Sequence, residues 1–277
     1  MQGGNQMRVR VLTIGLFLAI VVCLFIGDGI SYAKLEDGLI SAWTFDDGSV
    51  NDFAGENHGE IKGGVEVVDG KFEKGLSFDG KDGHVIIPHD KSMEVIADGY
   101  SVSAWFLPRA ITTGEGIVTK GEGSGWGIKY AFKITIDWWG VSNKTVEGYF
   151  NTSGALKEKP NKWVFACLTA DGKQAVGYSA GENDKVEIRP NGRGNPHIIA
   201  GPYLIEADFP IEIGVARLQG GNVDAFVDGI IDEVYLWDRA LTEEEVGLLA
   251  QGERPNFPRP VELAGKLSTL WGTIKNQ

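Results

Sequence analysis

Cysteine is almost missing from this chain. There are two among 277 residues, and one of them, Cys23, lies in an apolar N-terminal run. The thiol outside that run, Cys167, has no partner for an internal disulfide, so the fold must stand on its core or on a metal. Its setting, Trp163 to Leu168 (WVFACL), is that of a small buried hydrophobe. Histidine is scarce as well. His58, His84, His89 and His197 fall in turn-like segments, with no spacing that would pair one with Cys167 as a nucleophile. Positive charge is in deficit: 26 Lys and Arg stand against 38 Asp and Glu, for a net charge of −12, and no basic stripe stands out. This argues against nucleic acid or an anionic membrane as partner, and an acidic surface suits calcium or neutral ligands better. The glycines follow no three-residue period, which excludes collagen. No His-Glu-x-x-His, P-loop or Gly-x-Gly-x-x-Gly pattern occurs, so the common zinc-protease and nucleotide signatures are missing too.

What is present is a globular composition rich in turns. The chain is 43% hydrophobic and 10% aromatic, which argues against disorder, and it has 39 Gly. Such a glycine content fits many tight turns, as in all-β proteins. The first 33 residues read as a secretory leader. Arg8 and Arg10 precede the apolar run Val11 to Ile26, Gly27 breaks it, and Ser31 and Ala33 satisfy the small-residue rule for cleavage after Ala33. A run of this length is short for a span, which takes roughly 17–25 residues. The expectation is an exported protein, in the periplasm, at the cell surface or in the medium, with no membrane span after cleavage.

From Lys34 onward the pattern is of short strands between Asp-Gly and related turns. Strands are expected over Leu39 to Phe45, Val65 to Val68, Gly75 to Phe78, Val85 to Pro88, Tyr100 to Leu107 and Gly116 to Lys120. Others are expected over Gly127 to Ile136, Lys162 to Thr169, Ala175 to Tyr178, Ile211 to Ala216 and Ile230 to Trp237. Tyr100 to Leu107 is apolar on both faces, as a central strand is. One helix is expected: Thr242 is an N-cap, Glu245 completes a capping box, Val246, Leu248 and Leu249 form a stripe, and Gly252 ends it. The domain is read as residues 34–252. Residues 253–277 are read as a proline-containing linker and a short amphipathic tail carrying Leu263, Leu267, Leu270, Trp271 and Ile274, which is open between a docking segment for a protein partner, a sorting tag and a frayed end.

Several segments resemble, in order, a known family. They are Gly38 to Asp46 (GLISAWTFD), Asp52 to Gly59 (DFAGENHG), Gly75 to Gly80 (GLSFDG) with His84 to Pro88 (HVIIP), and Ser101 to Phe106 (SVSAWF). Lys162-Trp163 through Asp171-Gly172 and Asp228 to Leu241 (DGIIDEVYLWDRAL) follow. Together they resemble the laminin G-like jelly-roll domains of the concanavalin A-like lectin/glucanase superfamily. The resemblance implies an all-β fold, a jelly-roll β-sandwich of two antiparallel sheets with one short helix near the end of the domain. The chain departs from the family after Gly172, where a Tyr-x-Asn/Asp-Gly turn is usual and Ala175 to Glu182 stands instead.

Three chemistries follow from these residues. Alternation along the last strand puts Ile230, Asp232, Val234 and Leu236 on one face, so Asp232 is a carboxylate in apolar company that needs a partner. The resemblance implies a calcium ion between the first loop and the last strand. The expected ligands are Asp46, Asp52, Asn57 and Asp232, oxygen donors of the kind calcium takes. Glycan binding is read from the aromatic residues. Trp43, Trp105, Trp163 and Trp237 lie in apolar strands and are expected in the core, whereas adjacent Trp138 and Trp139 cannot both face it. The expected ligand residues are Trp126, Asp137, Trp138, Trp139, Asn143 and Tyr203, rings to stack on sugars and polar groups to bind hydroxyls. Catalysis is read as absent. Glu182 to Glu187 has the Glu-x-Asp-x-x-Glu spacing of laminarinase-like enzymes on this fold, but Asn183 and Lys185 stand where apolar residues belong. The expected function is a secreted, non-catalytic carbohydrate-recognition module, calcium-stabilised, with a cell-surface or extracellular glycan as partner. The alternatives are a glycoside hydrolase or polysaccharide lyase on the same fold, or a structural, adhesive surface protein.

Overall fold

The computed structural model describes residues 34–94, 99–109, 115–122, 129–137, 140–145, 148–151, 160–171, 175–182, 187–189, 209–217 and 223–257. Seventeen strands, one α-helix and one 3-10 turn (Lys91–Met93) occur among them. The strands are β1 (Leu39–Trp43), β2 (Glu60–Lys62), β3 (Val65–Asp69), β4 (Lys74–Asp79), β5 (His84–Ile87), β6 (Tyr100–Pro108), β7 (Glu115–Glu122), β8 (Lys129–Asp137) and β9 (Gly140–Thr145). They continue with β10 (Gly148–Asn151), β11 (Val164–Ala170), β12 (Ala175–Gly181), β13 (Glu187–Arg189), β14 (Ile211–Ile213), β15 (Ala216–Arg217), β16 (Val223–Asp224) and β17 (Asp228–Trp237). The helix is α1 (Glu243–Ala250). The leader read in residues 1–33 lies outside the described residues, and no described helix is long and apolar enough to cross a membrane.

Two antiparallel sheets make the sandwich. One runs β13-β12-β11-β6-β17-β4-β3, with β1 also paired to β17, and the other runs β10-β9-β8-β7-β14-β5-β2; β15 and β16 form a separate ribbon. The jelly-roll architecture implied by the resemblance is the one observed. Alternation explains the core: Val85 and Ile87 of β5, Ile211 and Ile213 of β14, and Val102 and Phe106 of β6 all enter the cluster between the sheets. Trp43 joins them, fully buried.

A second apolar cluster covers the outside of the eight-stranded sheet. Trp105, Phe165, Tyr235 and Trp237 pack there beneath Val246 and Leu249 of α1. This second layer is why β11 is buried along its whole length and β6 nearly so, and why their sequences read as continuous apolar runs. Two buried indole N–H groups have carbonyl partners. Trp43 Nε1 donates to the Asn57 oxygen at 2.7 Å and Trp237 Nε1 to the Leu35 oxygen at 2.7 Å. Cys167 is buried in the same outer cluster, and burial pushes its thiol well above the usual range, so it is inert. One close approach between the sheets requires glycine. Gly214 has φ +87°, and a Cβ there would lie 2.4 Å from the Phe78 ring.

Helix α1 forms as its sequence dictates. The Thr242 hydroxyl accepts from the Glu245 backbone N–H, and the Glu245 carboxylate accepts from the Thr242 backbone N–H. Arg239 adds two hydrogen bonds to the same carboxylate. Packing does not stop at Gly252, the end expected for the domain: Arg254 and Phe257 lie against the outer face. Thr242→Ala removes the cap, and we expect urea denaturation to show a loss of about 1 kcal/mol.

Candidate functional site

The sequence Asp232-Glu233 interrupts an otherwise apolar strand, and the structure shows what the interruption does. Before it, β17 pairs with β4 through Ile231 opposite Leu76; after it, the same edge pairs with β1 through Val234 opposite Trp43. On its other edge β17 follows β6 throughout, with a bulge between Asp232 and Tyr235. Glu233 takes φ +52° there, and Phe45, just after β1, takes φ +61°. The bulge shifts the alternation by one residue. Ile231, Val234 and Leu236 share the inter-sheet core, while Tyr235 and Trp237 join the outer cluster. Strict alternation had put Asp232 on the face of Val234 and Leu236. The structure corrects this, because the bulge lets Asp232 lie opposite Trp105 of the outer cluster instead.

Three acids and one arginine meet at this bulge. The Asp232 carboxylate accepts from the backbone N–H of Phe72 at 3.0 Å and of Glu233 at 2.8 Å. Glu233 accepts from the Tyr235 hydroxyl and from Arg254, whose Nε lies 2.8 Å away. Arg254 also bonds to Asp46 and lies 5.3 Å from the Phe72 ring. Asp232 and Glu233 are 0% and 1% exposed. Burial, reinforced by the Glu233 charge, pushes Asp232 up to about 8 despite its backbone donors. Burial likewise pushes Glu233 up to about 7, against the pull of Arg254 and Tyr235. Acids with raised proton affinity suit general acid catalysis, but these two are sealed under Phe72 and Arg254. Their arrangement is a structural lock.

The expected calcium ligands do not converge. Asp52 accepts four backbone N–H groups, Ala42, Ala54 and Gly55 on one oxygen and Asn57 on the other, at 2.8–3.1 Å. Asn57 donates to Ser41 and accepts from Ser92. These two residues shape the first loop, while Asp46 and Asp232 belong to the arginine lock. Among the described residues no group of three or more His, Cys, Asp or Glu is placed to hold a metal. Asp52 is occupied by backbone amides, Asn57 by the Ser41 and Ser92 hydroxyls and Asp232 by two backbone amides, while Asp46 Oδ1 is buried without a hydrogen-bond partner, so the four are not gathered around one ion. The Glu182–Glu187 spacing is likewise divided: Glu182 follows β12 and pairs with Lys71 at 2.9 Å, and Glu187 opens β13. They do not lie on one strand.

The expected sugar-binding residues point to the seven-stranded sheet. Asp137 ends β8 and pairs with Gly140 of β9, and Asn143 lies on β9 opposite Ile134. Ile134 in turn pairs with core residue Val118. Trp126, Trp138, Trp139 and Tyr203 lie outside the described residues. The described residues of β7 and β14 in this sheet are buried, polar ones among them. Burial raises the pKa of Glu212, and Arg217 holds it with two hydrogen bonds. Thr119 donates to the Val215 carbonyl at 3.1 Å.

A laminin G family model, described as the concanavalin A-like lectin/glucanases superfamily, matches residues 79–247. The chain belongs to this superfamily. Among curated proteins none matches the sequence significantly. Solved structures agree on the fold. Domain 4 of AbnA, a GH43 extracellular arabinanase from Geobacillus stearothermophilus solved with arabinotriose, superposes with a TM-score of 0.56 at 18% identity, over 77% of this chain and 98% of that one. The binding domain of Paraclostridial Mosquitocidal Protein 1 gives 0.54 at 20% identity, over 78% and 52%. Trypanosoma rangeli sialidase gives 0.58 at 18% identity, over 81% and 34%. The chain thus spans the arabinanase domain almost whole, but only half of the mosquitocidal binding domain and a third of the sialidase.

The superfamily match begins at the last residue of β4 and ends inside α1. Asp46 and Arg254 of the lock lie outside it, so this jelly roll is completed by segments on both sides of the matched core. Two outcomes follow. Arg254→Ala leaves Asp46 and Glu233 without their cation, and chemical denaturation should show a loss of about 3–5 kcal/mol. Between about pH 4 and pH 8 the folded chain holds protons on Asp232 and Glu233 that the unfolded chain releases, so stability should fall as pH rises through that window. Urea midpoints at pH 5, 6.5 and 8.5 test this, and Asp232→Asn should flatten the upper part of the decline.

Proposed function

We propose that this chain is an exported, non-catalytic module that recognises a glycan through the outward face of the seven-stranded sheet around the β8–β9 hairpin. The observation carrying this reading is the asymmetry of the sandwich. The eight-stranded sheet is covered outside by α1 and the aromatic cluster, which leaves the other sheet as the one to carry a ligand. Aromatic rings stack on sugars, and Trp138-Trp139 directly follow Asp137 in sequence. The superposed domains include one solved with arabinotriose and a sialidase, which supports sugar as the ligand class. The non-catalytic reading is supported by the sealing of Asp232 and Glu233 and by the separation of Glu182 from Glu187.

The test is retention of the purified chain on a panel of immobilised polysaccharides, with soluble reducing ends assayed in parallel. Retention on one class, weakened about tenfold or more by Trp138→Ala or Trp139→Ala with melting unchanged, is the expected outcome. Release of reducing ends would replace the recognition reading with a hydrolase.

A further inference from the structure

Asp46 belongs to the loop after β1, and Asp232 and Glu233 to the last strand. These are the two segments between which the family resemblance implies a calcium ion. The structure puts a guanidinium there. Arg254 Nη2 touches both Asp46 Oδ2 and Glu233 Oε1. Its Nε donates to Glu233 Oε2 at 2.8 Å. One nitrogen thus bridges carboxylates from two separate segments, as a metal ion bridges its ligands. The place is closed from water: the Arg254 and Asp46 side chains are 13% and 14% exposed, and that of Glu233 is 1% exposed.

A guanidinium and a calcium ion ask for different surroundings. Calcium takes roughly six to eight oxygens. Two of the three carboxylates bond to Arg254. The third, Asp232, is turned to backbone amides, with Oδ2 accepting from Phe72 and Oδ1 from Glu233. The Tyr235 hydroxyl donates to Glu233. The Phe72 ring lies 5.3 Å from the guanidinium carbon, where it offers a cation–π contact and no oxygen. These groups fall short of a calcium shell while the guanidinium fills the space between them. They suit a planar cation that carries a fixed fork of N–H donors and never loses its charge.

The origin of this cation bears on its consequence. Arg254 lies beyond residues 79–247, the part that the superfamily model matches. A bound ion stabilises a fold to an extent set by its concentration, whereas a tethered cation is present at any dilution.

We propose that Arg254 is the built-in cation of this sandwich and takes the place of the calcium ion that the resemblance implies. The fold is then indifferent to divalent metal. Without the guanidinium, Asp46 and Glu233 face one vacated space. Two carboxylates completed by water make a weak calcium site, in the range of about 10⁻⁴–10⁻³ M. The inference does not depend on what the protein recognises.

The experiment follows thermal melting of the full chain in EDTA and in about 10 mM CaCl2. It compares the unmodified protein with Arg254→Ala, Arg254→Lys and the double variant Arg254→Ala/Asp46→Asn. We expect the unmodified midpoint to be the same in both solutions. Arg254→Ala should melt lower in EDTA and regain about 3–6 °C in calcium. Adding Asp46→Asn should abolish that regain. Arg254→Lys keeps a tethered charge, so it should melt above Arg254→Ala in EDTA and show no calcium response. An unmodified midpoint that differs between the two solutions would overturn the proposal, because a metal would then be holding the acids. So would an Arg254→Ala protein that melts like the unmodified chain, or one that melts lower and ignores calcium. Should Arg254→Ala fail to fold in EDTA, recovery of its fold in calcium supports the proposal, and failure to recover counts against it.

Discussion

Strand β17 has to serve two partners along one edge, and the rest of the sandwich depends on how it does so. Its first half holds β4 and its second half β1, while β6 runs the length of its other edge. A regular strand would carry all its side chains in one alternation past the gap between β4 and β1. The bulge at Asp232 and Glu233 resets that alternation, so that Ile231 and Val234 can both face the core. The consequence is two buried carboxylates in an apolar layer, which would be prohibitive without partners. Backbone N–H groups, the Tyr235 hydroxyl and Arg254 supply them.

That arrangement ties distant parts of the chain together. Asp46 comes from the loop after β1, Phe72 from the turn before β4, and Arg254 from beyond the helix. The charge of Arg254 is held between Asp46 and Glu233 and over the Phe72 ring, so the segment after α1 is part of the domain's packing. The same region covers the outer face of the eight-stranded sheet, which takes that face out of contention for ligands.

Much of this was legible in the residues. The strand-and-turn rhythm, the Thr242–Glu245 capping box and the ordered family segments led to the jelly roll and its helix, and the main strands fall close to where they were expected. Short strands such as β2, β15 and β16 were not legible, because two or three residues carry no measurable period. What holds the expected calcium ligands was not legible. Asp46, Asp52, Asn57 and Asp232 are all oxygen donors, and composition cannot reveal that four backbone amides already hold Asp52.

By itself, then, the sequence determined the class of fold, the cap of its helix and which residues must leave water. These follow from local periodicity and from the affinity of apolar side chains for one another, which act wherever the chain goes. Tertiary structure alone decided which face Asp232 occupies and that Arg254 joins Glu233 to Asp46. Each of those depends on strand register or on contacts between segments up to two hundred residues apart, and a shift of one residue reverses the face of everything beyond it.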